Sequence, residues 1–391
     1  MSNKYQVYNL LLKINYPKIE QELNILKTSL KYFIIFLMER AIVVGVDNSI
    51  VNEGLSARES IDELKQLAYT LEVKVESEFI QKVKRINPKT FIGKGKIFEI
   101  RDAVLKNGIK TVIFDFKLSP AQQRNIENII PAKIIDRPRL ILDIFAKRAK
   151  TREAKLQVEL AQLNYLLPRL TGKGIQMMQQ VGGIGTRGPG EKQLEYDRRK
   201  IQRRIQHIRE ELKDIEKSRF ERKKRRKKSK IPLISLVGYT NAGKSTLMNA
   251  LSKSNVYVED KLFATLTTTT RRVYLGENKF VLLSDTVGFI RKMPPQLLES
   301  FKQTLLEIQD ADLILHVIDV SSPLYLEHKR VVEEILKSLN LDNIPRWNIL
   351  NKIDLLQSHD TIPKKDFILI SALKGYGIEE LKERIEKFFY D

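Results

Sequence analysis

"IPLISLVGYTNAGKSTLMNAL", residues 231–251, decides the fold of the C-terminal part of this chain. An apolar run leads into a turn, and a helix-forming segment with Leu247, Met248 and Leu251 at helical spacing follows it. The turn reads G-x-x-x-x-G-K-S from Gly238 to Ser245, through Tyr239, Thr240, Asn241, Ala242, Gly243 and Lys244. Glycines at this spacing let backbone N–H groups wrap phosphate oxygens. Lysine then reaches the β/γ-phosphates, and the serine hydroxyl ligates Mg²⁺. The strand before and the helix after are the context this motif needs, so the sequence predicts a P-loop nucleotide domain over 231–391.

Three further motifs follow in order, each after a strand-like run. "FVLLSDTVG" (280–288) ends in D-x-x-G, made of Asp285, Thr286, Val287 and Gly288. Asp285 can hold the water shell of Mg²⁺, and the Gly288 amide can meet a γ-phosphate. "RWNILNKID" ends in N-K-x-D, made of Asn351, Lys352, Ile353 and Asp354. A carboxylate at 354 accepts from the guanine N1–H and the exocyclic amine. Adenine offers neither, so the site should select GTP over ATP by leaving polar groups unpaired with the wrong base. "FILISAL" places Ser371, Ala372 and Leu373 after a last strand, where backbone groups can support the guanine oxygen. The four motifs together predict a guanine-nucleotide site with GTP and GDP as substrate and product.

Between the first two motifs lies "LFATLTTTTRR" (262–272), a switch segment in which one threonine must reach Mg²⁺. Thr265 is the choice, with Thr267 to Thr270 as rivals. The expected metal ligands are Ser245 and Thr265, and the expected catalytic groups are Lys244, Gly288 and Thr265. Phe289 stands where Ras-type GTPases carry a water-orienting Gln. Phenylalanine cannot orient water, so intrinsic hydrolysis should be slow and a partner or another group should complete the site. Asn241 occupies a P-loop position that resembles that of potassium-activated GTPases, which makes K⁺ a candidate second cation.

Upstream, residues 39–149 alternate strand and helix patterns, the signature of a parallel α/β sheet. "AIVVGV" and "TVIFDF" read as strands, "SARESIDELKQLAYTL" as a helix capped by Ser56, and "SPAQQRNIENII" as a helix with a serine cap and proline first. "GKGK" (93–96) reads as a turn. Residues 150–230 change rhythm. Leu156, Leu160, Leu163, Leu167 and Leu170 form one heptad seam, and Leu194, Ile201, Ile205, Ile208, Leu212 and Ile215 form another. Two such helices joined by one loop predict an antiparallel hairpin. Its loop, 171–190, carries seven glycines. Gly183, Gly185 and Gly188 within it spell G-x-G-x-x-G, but a helix precedes them where a dinucleotide fingerprint needs a strand. The glycines therefore serve close backbone approach to a crowded surface or a plain connection. "RFERKKRRKKSK" (219–230) has nine basic residues and one acidic, a linker or a nucleic-acid contact.

The totals agree with a polyanion partner. The 391 residues hold 69 basic and 48 acidic side chains, a formal charge of +21. With no cysteine and with His207, His316, His328 and His359 out of ligand spacing, neither disulfides nor a zinc site is expected. The apolar run "YFIIFLM" (32–38) is shorter than the roughly 20 residues a bilayer needs and is followed by charges rather than a cleavage site. A cytoplasmic protein is expected, with nucleic acid as partner or peripheral association with an anionic membrane through the polybasic run. Residues 1–38 read as an extension before a domain that begins near Met38.

With these residues in place, the chain resembles the HflX family of ribosome-associated GTPases from about residue 39 to the C terminus. The resemblance rests on "TFIGKGKIFEI", "LSPAQQRNIE", "IIDRPRLILDIFAKRAKTREAKLQVELAQLNYLLPRL", "GGIGTRGPGEKQLE", "GYTNAGKSTLMNAL", "FATL", "SDTVGFI" and "NKIDLL". It implies an N-terminal α/β domain, a helical hairpin with a glycine-rich tip and a C-terminal GTPase domain. It also implies binding to the large ribosomal subunit and its rRNA, with the tip near the peptidyl transferase centre, splitting of stalled ribosomes and a GTPase that the ribosome stimulates; a monomer is expected. By position it assigns Phe263, Ala264, Thr265, Leu266 and Thr267 to the switch, with Thr265 on Mg²⁺. The family's Asp-Pro after "FATL" is replaced here by Thr267 and Thr268, which should loosen the switch. The alternative function is a nucleotide-switched RNA-binding or remodelling protein in ribosome assembly.

Overall fold

The computed structural model describes residues 39–48, 51–53, 56–170, 189–229, 231–253, 262–263, 269–356 and 367–391. The extension 1–38, the glycine loop with its G-x-G-x-x-G, and Ala264 to Thr268 fall outside them.

The first unit is built from β1 (Glu39–Asp47), α1 (Ala57–Thr70), β2 (Val73–Lys82), α2 (Lys94–Asn107), β3 (Thr111–Phe114), α3 (Pro120–Glu127), β4 (Lys133–Asp136) and α4 (Arg137–Arg148). All its strand pairs are parallel, in the order β2-β1-β3-β4. The capping chemistry read from the sequence is present. Ser56 and Ser119 each close a capping box with Glu59 and Gln122, and Pro120 opens α3. The turn read at 93–96 is corrected. Gly93 is the N-cap of α2, its N–H held by Gln81 Oε1 at 2.9 Å, and Lys94–Gly95–Lys96 form the first helical turn.

Parallel strands are buried on both faces, and β1 and β3 show it as unbroken apolar runs. Ile42, Val44, Val112 and Phe114 meet Ile97, Ile100, Val104 and Ile126 from α2 and α3. Ala41, Val43 and Ile113 meet Ile61, Leu64, Ile141 and Phe145 from α1 and α4. This second cluster does not stop at the unit's edge. It continues through Ala154, Val158 and Tyr165 to Phe263, Leu297, Val331 and Leu336 of the C-terminal unit. Each fully buried side chain of this size contributes roughly 1.5–3 kcal/mol.

The two seams meet, with Leu170 outside their shared cluster and the Leu194 side chain outside the described residues. α5 (Arg152–Leu166) and α6 (Pro189–Ser229) pack through Leu156, Leu160, Ile205, Ile208 and Leu212, with Leu163, Leu167, Ile201 and Ile215 alongside. Arg204 makes two bonds to Glu159 at 2.7 and 2.8 Å across the pair. The basic run is not an irregular linker, because α6 stays helical to Ser229. A buried carboxylate anchors the root of the hairpin. Asp136 caps α4 through the Arg139 N–H (3.0 Å) and accepts from the Leu118 N–H (3.1 Å), Tyr165 Oη (2.7 Å) and Arg169 (3.3 Å). The Arg169 guanidinium lies 3.6 Å over the Tyr165 ring.

The C-terminal unit holds β5 (Leu233–Gly238), α7 (Lys244–Ser252), β6 (Thr269–Gly276), β7 (Lys279–Asp285), α8 (Pro295–Leu305), β8 (Leu313–Asp319), α9 (Tyr325–Ser338), β9 (Arg346–Asn351), β10 (Phe367–Leu369) and α10 (Ile378–Tyr390). The sheet order is β10-β9-β8-β5-β7-β6, with only β6–β7 antiparallel. Among the described residues no helix is long and apolar enough to cross a membrane.

Candidate nucleotide site

β5 lies between β7 and β8, so its carboxyl end opens at the crevice where parallel α/β sheets hold ligands. Gly238 to Gly243 turn there into the N terminus of α7. Gly243 has φ +90°, and a Cβ on it would lie 2.2 Å from Asn351 Nδ2. No other residue type fits both demands. Asn351 uses that contact: its Nδ2 donates to the Ala242 carbonyl (2.9 Å) and its Oδ1 accepts from the Ala372 N–H (3.0 Å). One side chain thus ties three of the four motifs together.

Lys244 is buried, and its Nζ donates to the carbonyls of Gly238 (3.2 Å) and Tyr239 (2.9 Å). Burial lowers its pKa from 10.5 to about 8, and the nearby Asp285 carboxylate offsets this only in part. Ser245 Oγ donates to Asp285 Oδ2 at 2.6 Å, which places a hydroxyl and a carboxylate side by side. Thr286 Oγ1 donates to the Leu236 carbonyl at 2.7 Å and pins the start of D-x-x-G to β5, and Val287 is buried. Gly288 follows, so close to the loop that a Cβ would stand 2.8 Å from Thr240 Cα and 3.1 Å from Lys244 Nζ.

At the base side, Lys352 has φ +69° and donates to Asp319 Oδ2 at 2.7 Å. It turns the chain into the short 3₁₀ segment Ile353–Leu355, which carries Asp354. Ser371 is buried, with its Oγ accepting from the Lys374 N–H at 3.1 Å, and Leu373 is exposed. The site residues singled out at 238–245, 285–288, 351–354 and 371–373 therefore converge on one edge of one sheet.

Switch I is only entered. Phe263, with φ +57°, is buried with its ring 4.7 Å from Phe145 of α4, and its N–H donates to Thr240 Oγ1 at 2.8 Å. Ala264, Thr265, Leu266 and Thr267 lie outside the described residues. Of the rivals, Thr269 and Thr270 begin β6, and the Thr269 hydroxyl is given to Met248 Sδ (3.6 Å). Phe289 is 1% exposed and packs in the apolar cluster, so its side chain presents no polar group to water.

Three family models match this chain in register with these units. "GTP-binding GTPase N-terminal" covers 58–146, "GTP-binding GTPase Middle Region" covers 148–226 and "50S ribosome-binding GTPase" covers 233–352. The GTPase HflX of Caldanaerobacter subterraneus subsp. tengcongensis is 50% identical over 349 residues, spanning 89% of this chain and 80% of that protein. The GTPase HflX of Escherichia coli is 44% identical over 329 residues, spanning 83% and 77%. The chain belongs to the HflX GTPase family. As a member of that family it binds guanine nucleotide and hydrolyses GTP. A solved structure, "crystal structure of SsGBP and GDP complex", is 29% identical, covers 90% of this chain and 98% of that one, and has a TM-score of 0.48.

The sequence reading missed what the Tyr239 side chain does. It reaches out of the site: its hydroxyl donates to Glu63 of α1 and accepts the Arg291 N–H (3.0 Å), and its ring stacks on His328 with centroids 3.9 Å apart. Around Glu63 stand Arg137, Asp115, Arg291 and Lys292. Burial pushes the Glu63 carboxyl up, but Arg137, Arg291 and the Tyr239 hydroxyl outweigh it and hold it below the usual range. No motif in the sequence marks this cluster.

Proposed function

We propose that hydrolysis runs at the carboxyl edge of β5, with each motif in the role its chemistry suits. Lys244 neutralises charge on the β/γ-phosphates, the Gly288 amide meets the γ-phosphate, and Asp354 reads the guanine edge. The backbone of Ser371, Ala372 and Leu373 supports the guanine oxygen. The observation that carries this reading is the pair of hydrogen bonds from the Asn351 side chain, one donated to the Ala242 carbonyl and one accepted from the Ala372 N–H, which joins the phosphate loop to the base side.

The pairing of Ser245 Oγ with Asp285 at 2.6 Å suits a hard cation that takes oxygen ligands. Ser245, and Thr265 from the switch, would hold Mg²⁺, with Asp285 ordering its water shell. The ion supplies charge neutralisation between the phosphates. Asn241, with φ +62°, fits a role beside a K⁺ ion that assists the same charge; equal turnover in K⁺ and Na⁺ buffers overturns that part.

The partner in this proposal is the large ribosomal subunit. Three features support it: the family model described as a 50S ribosome-binding GTPase, the charge of +21, and a helix that carries the basic run to Ser229. The buried Phe289 leaves no water-orienting side chain at its position, so unaided turnover is slow and the ribosome accelerates it. The mechanical outcome proposed is the splitting or rescue of stalled ribosomes in the cytoplasm. Sedimentation with purified large subunits tests this. The chain should co-sediment with a non-hydrolysable GTP analogue and much less with GDP, and its GTPase should rise with added subunits. Equal pelleting with both nucleotides, and no stimulation, overturns the ribosomal role and leaves indiscriminate RNA binding.

A further inference from the structure

The segment that follows D-x-x-G is held through its backbone and through two charged side chains. The Phe289 N–H donates to the Gly238 carbonyl (3.1 Å), and the Phe289 carbonyl accepts from the Thr240 N–H (2.7 Å), so its backbone pairs with the phosphate loop itself. The Arg291 N–H is on Tyr239 Oη (3.0 Å). The Arg291 guanidinium then crosses to the N-terminal unit, donating to the Asn52 carbonyl (3.2 Å) and facing Glu63 at 3.5 Å. Lys292 crosses too, donating to Ser60 Oγ (3.0 Å), Asp115 Oδ2 (2.9 Å) and the Asp115 carbonyl (3.3 Å). Arg137 braces both carboxylates from behind: one of its amines donates to Asp115 Oδ1 at 2.6 Å and the other to Glu63. Asp115 follows β3, and β3 and β1 are neighbours at the centre of the N-terminal sheet. The crevice where an open parallel sheet offers its ligand site is therefore filled by a lysine of the GTPase unit.

Gly288 sits immediately before this segment, at a separation from Thr240 and Lys244 that leaves no room for a Cβ. Only GTP brings a third phosphate into that space. Any move of Gly288 to admit it must pull on Phe289, Arg291 and Lys292. Buried, paired charges do not release one at a time cheaply, because each partner left behind is an uncompensated charge. Arg137 is fully buried and Arg291 is 1% exposed, so this condition holds here.

We infer that Tyr239 and Glu63 are positioning residues: through them the N-terminal sheet clamps the segment Phe289–Lys292 onto the phosphate loop, so that the contact between the two units opposes GTP more than GDP. The inference rests on the nucleotide site proposed above and adds to it a control exerted from the other unit. Neither residue needs to touch nucleotide. Tyr239 acts through the Arg291 amide, and Glu63 acts through Tyr239 and the Arg291 guanidinium.

The test is a double-mutant cycle on the full chain. Dissociation constants for GDP and for a non-hydrolysable GTP analogue are measured for wild type, Tyr239→Phe, Glu63→Gln and the pair. Tyr239→Phe keeps the ring on His328 and deletes only the hydroxyl. Each single variant should move the GTP-analogue to GDP affinity ratio toward the analogue by about fivefold or more, the lower end for coupling between sites. The pair should shift no further than the larger single change, because both residues act through one contact. Amide exchange at 289–293 should quicken in parallel. Where Glu63→Gln fails to fold by thermal melting, Lys292→Met replaces it from the other side of the contact. A merely structural role would lower melting temperature and leave the ratio unmoved. An unmoved ratio, a shift toward GDP or additive shifts overturn the clamp while leaving the site reading intact. A wild-type chain that binds neither nucleotide overturns the site reading and the clamp with it.

Discussion

Lys244 makes nucleotide affinity a function of pH in a window the structure defines. Its Nζ is enclosed and, among the described residues, bonded to two backbone carbonyls of its own loop, and burial brings its pKa down to about 8 from 10.5. Phosphate oxygens placed against that nitrogen favour the charged form, so the bound state stays protonated where the free state does not. Binding above pH 8 must then take up a proton. With a free-state pKa near 8 and a bound lysine fully charged, the dissociation constant rises about tenfold from pH 7 to pH 9, or ~1.4 kcal/mol. Proton uptake reaches about 0.9 per nucleotide at pH 9 and falls to about 0.1 at pH 7. Fluorescent GDP titrations across this range give the first quantity. Calorimetry in buffers of different ionisation heat gives the second. The variant Lys244→Met should bind weakly and lose the slope, which separates the lysine from titration of the guanine ring itself. The folded chain without nucleotide shows the reverse trend. Between about pH 8 and 10.5 the unfolded chain carries the extra proton, so stability rises with pH across that window. A dissociation constant that is flat from pH 7 to 9, with no proton uptake, refutes the argument.

Gly243→Ala forces an L-residue into φ +90° and drives its Cβ onto Asn351. Strain of roughly 1–2 kcal/mol and the loss of two Asn351 bonds at roughly 0.5–1.5 kcal/mol each should weaken nucleotide binding by at least about thirtyfold; equilibrium binding checks this, and wild-type affinity refutes it. Asp136→Ala removes a helix cap and leaves the Tyr165 hydroxyl and Arg169 without their shared acceptor, so it should cost about 3–5 kcal/mol in denaturant unfolding; a loss under about 1 kcal/mol would show that the hairpin root does not depend on it. Replacing Arg222, Lys223, Arg225 and Arg226 by glutamine should flatten the dependence of log K on log salt for RNA binding by up to about 3–4 units, one for each phosphate no longer neutralised; an unchanged slope assigns the run to the connection between units alone.

Much of this architecture was legible because local chemistry and global packing agree. The capping boxes at Ser56 and Ser119, the parallel order implied by alternating strands and helices, and the two leucine–isoleucine seams all state their partners in their spacing. The nucleotide site was legible for a different reason: phosphate and guanine impose the same few residue types wherever a P-loop meets them. What was not legible follows from the same logic. Residues 93–96 read as a turn because glycine and lysine dominate, yet the Gln81 side chain supplies the N–H partner that lets a helix begin there. Glu63, on a helix whose buried side is Ile61, Leu64, Leu67 and Ala68, reads as an ordinary solvated charge. Its partner Arg291 stands 228 positions later in the chain. Arg291 and Lys292 read equally well as part of the general basic excess. A buried charge pair is invisible to periodicity, because neither member carries a mark that the other exists. It becomes visible only when two sheets bring the ends together. That is also where a family with a shared GTPase site can place control over it, through Tyr239 at one of the unspecified positions of the phosphate loop.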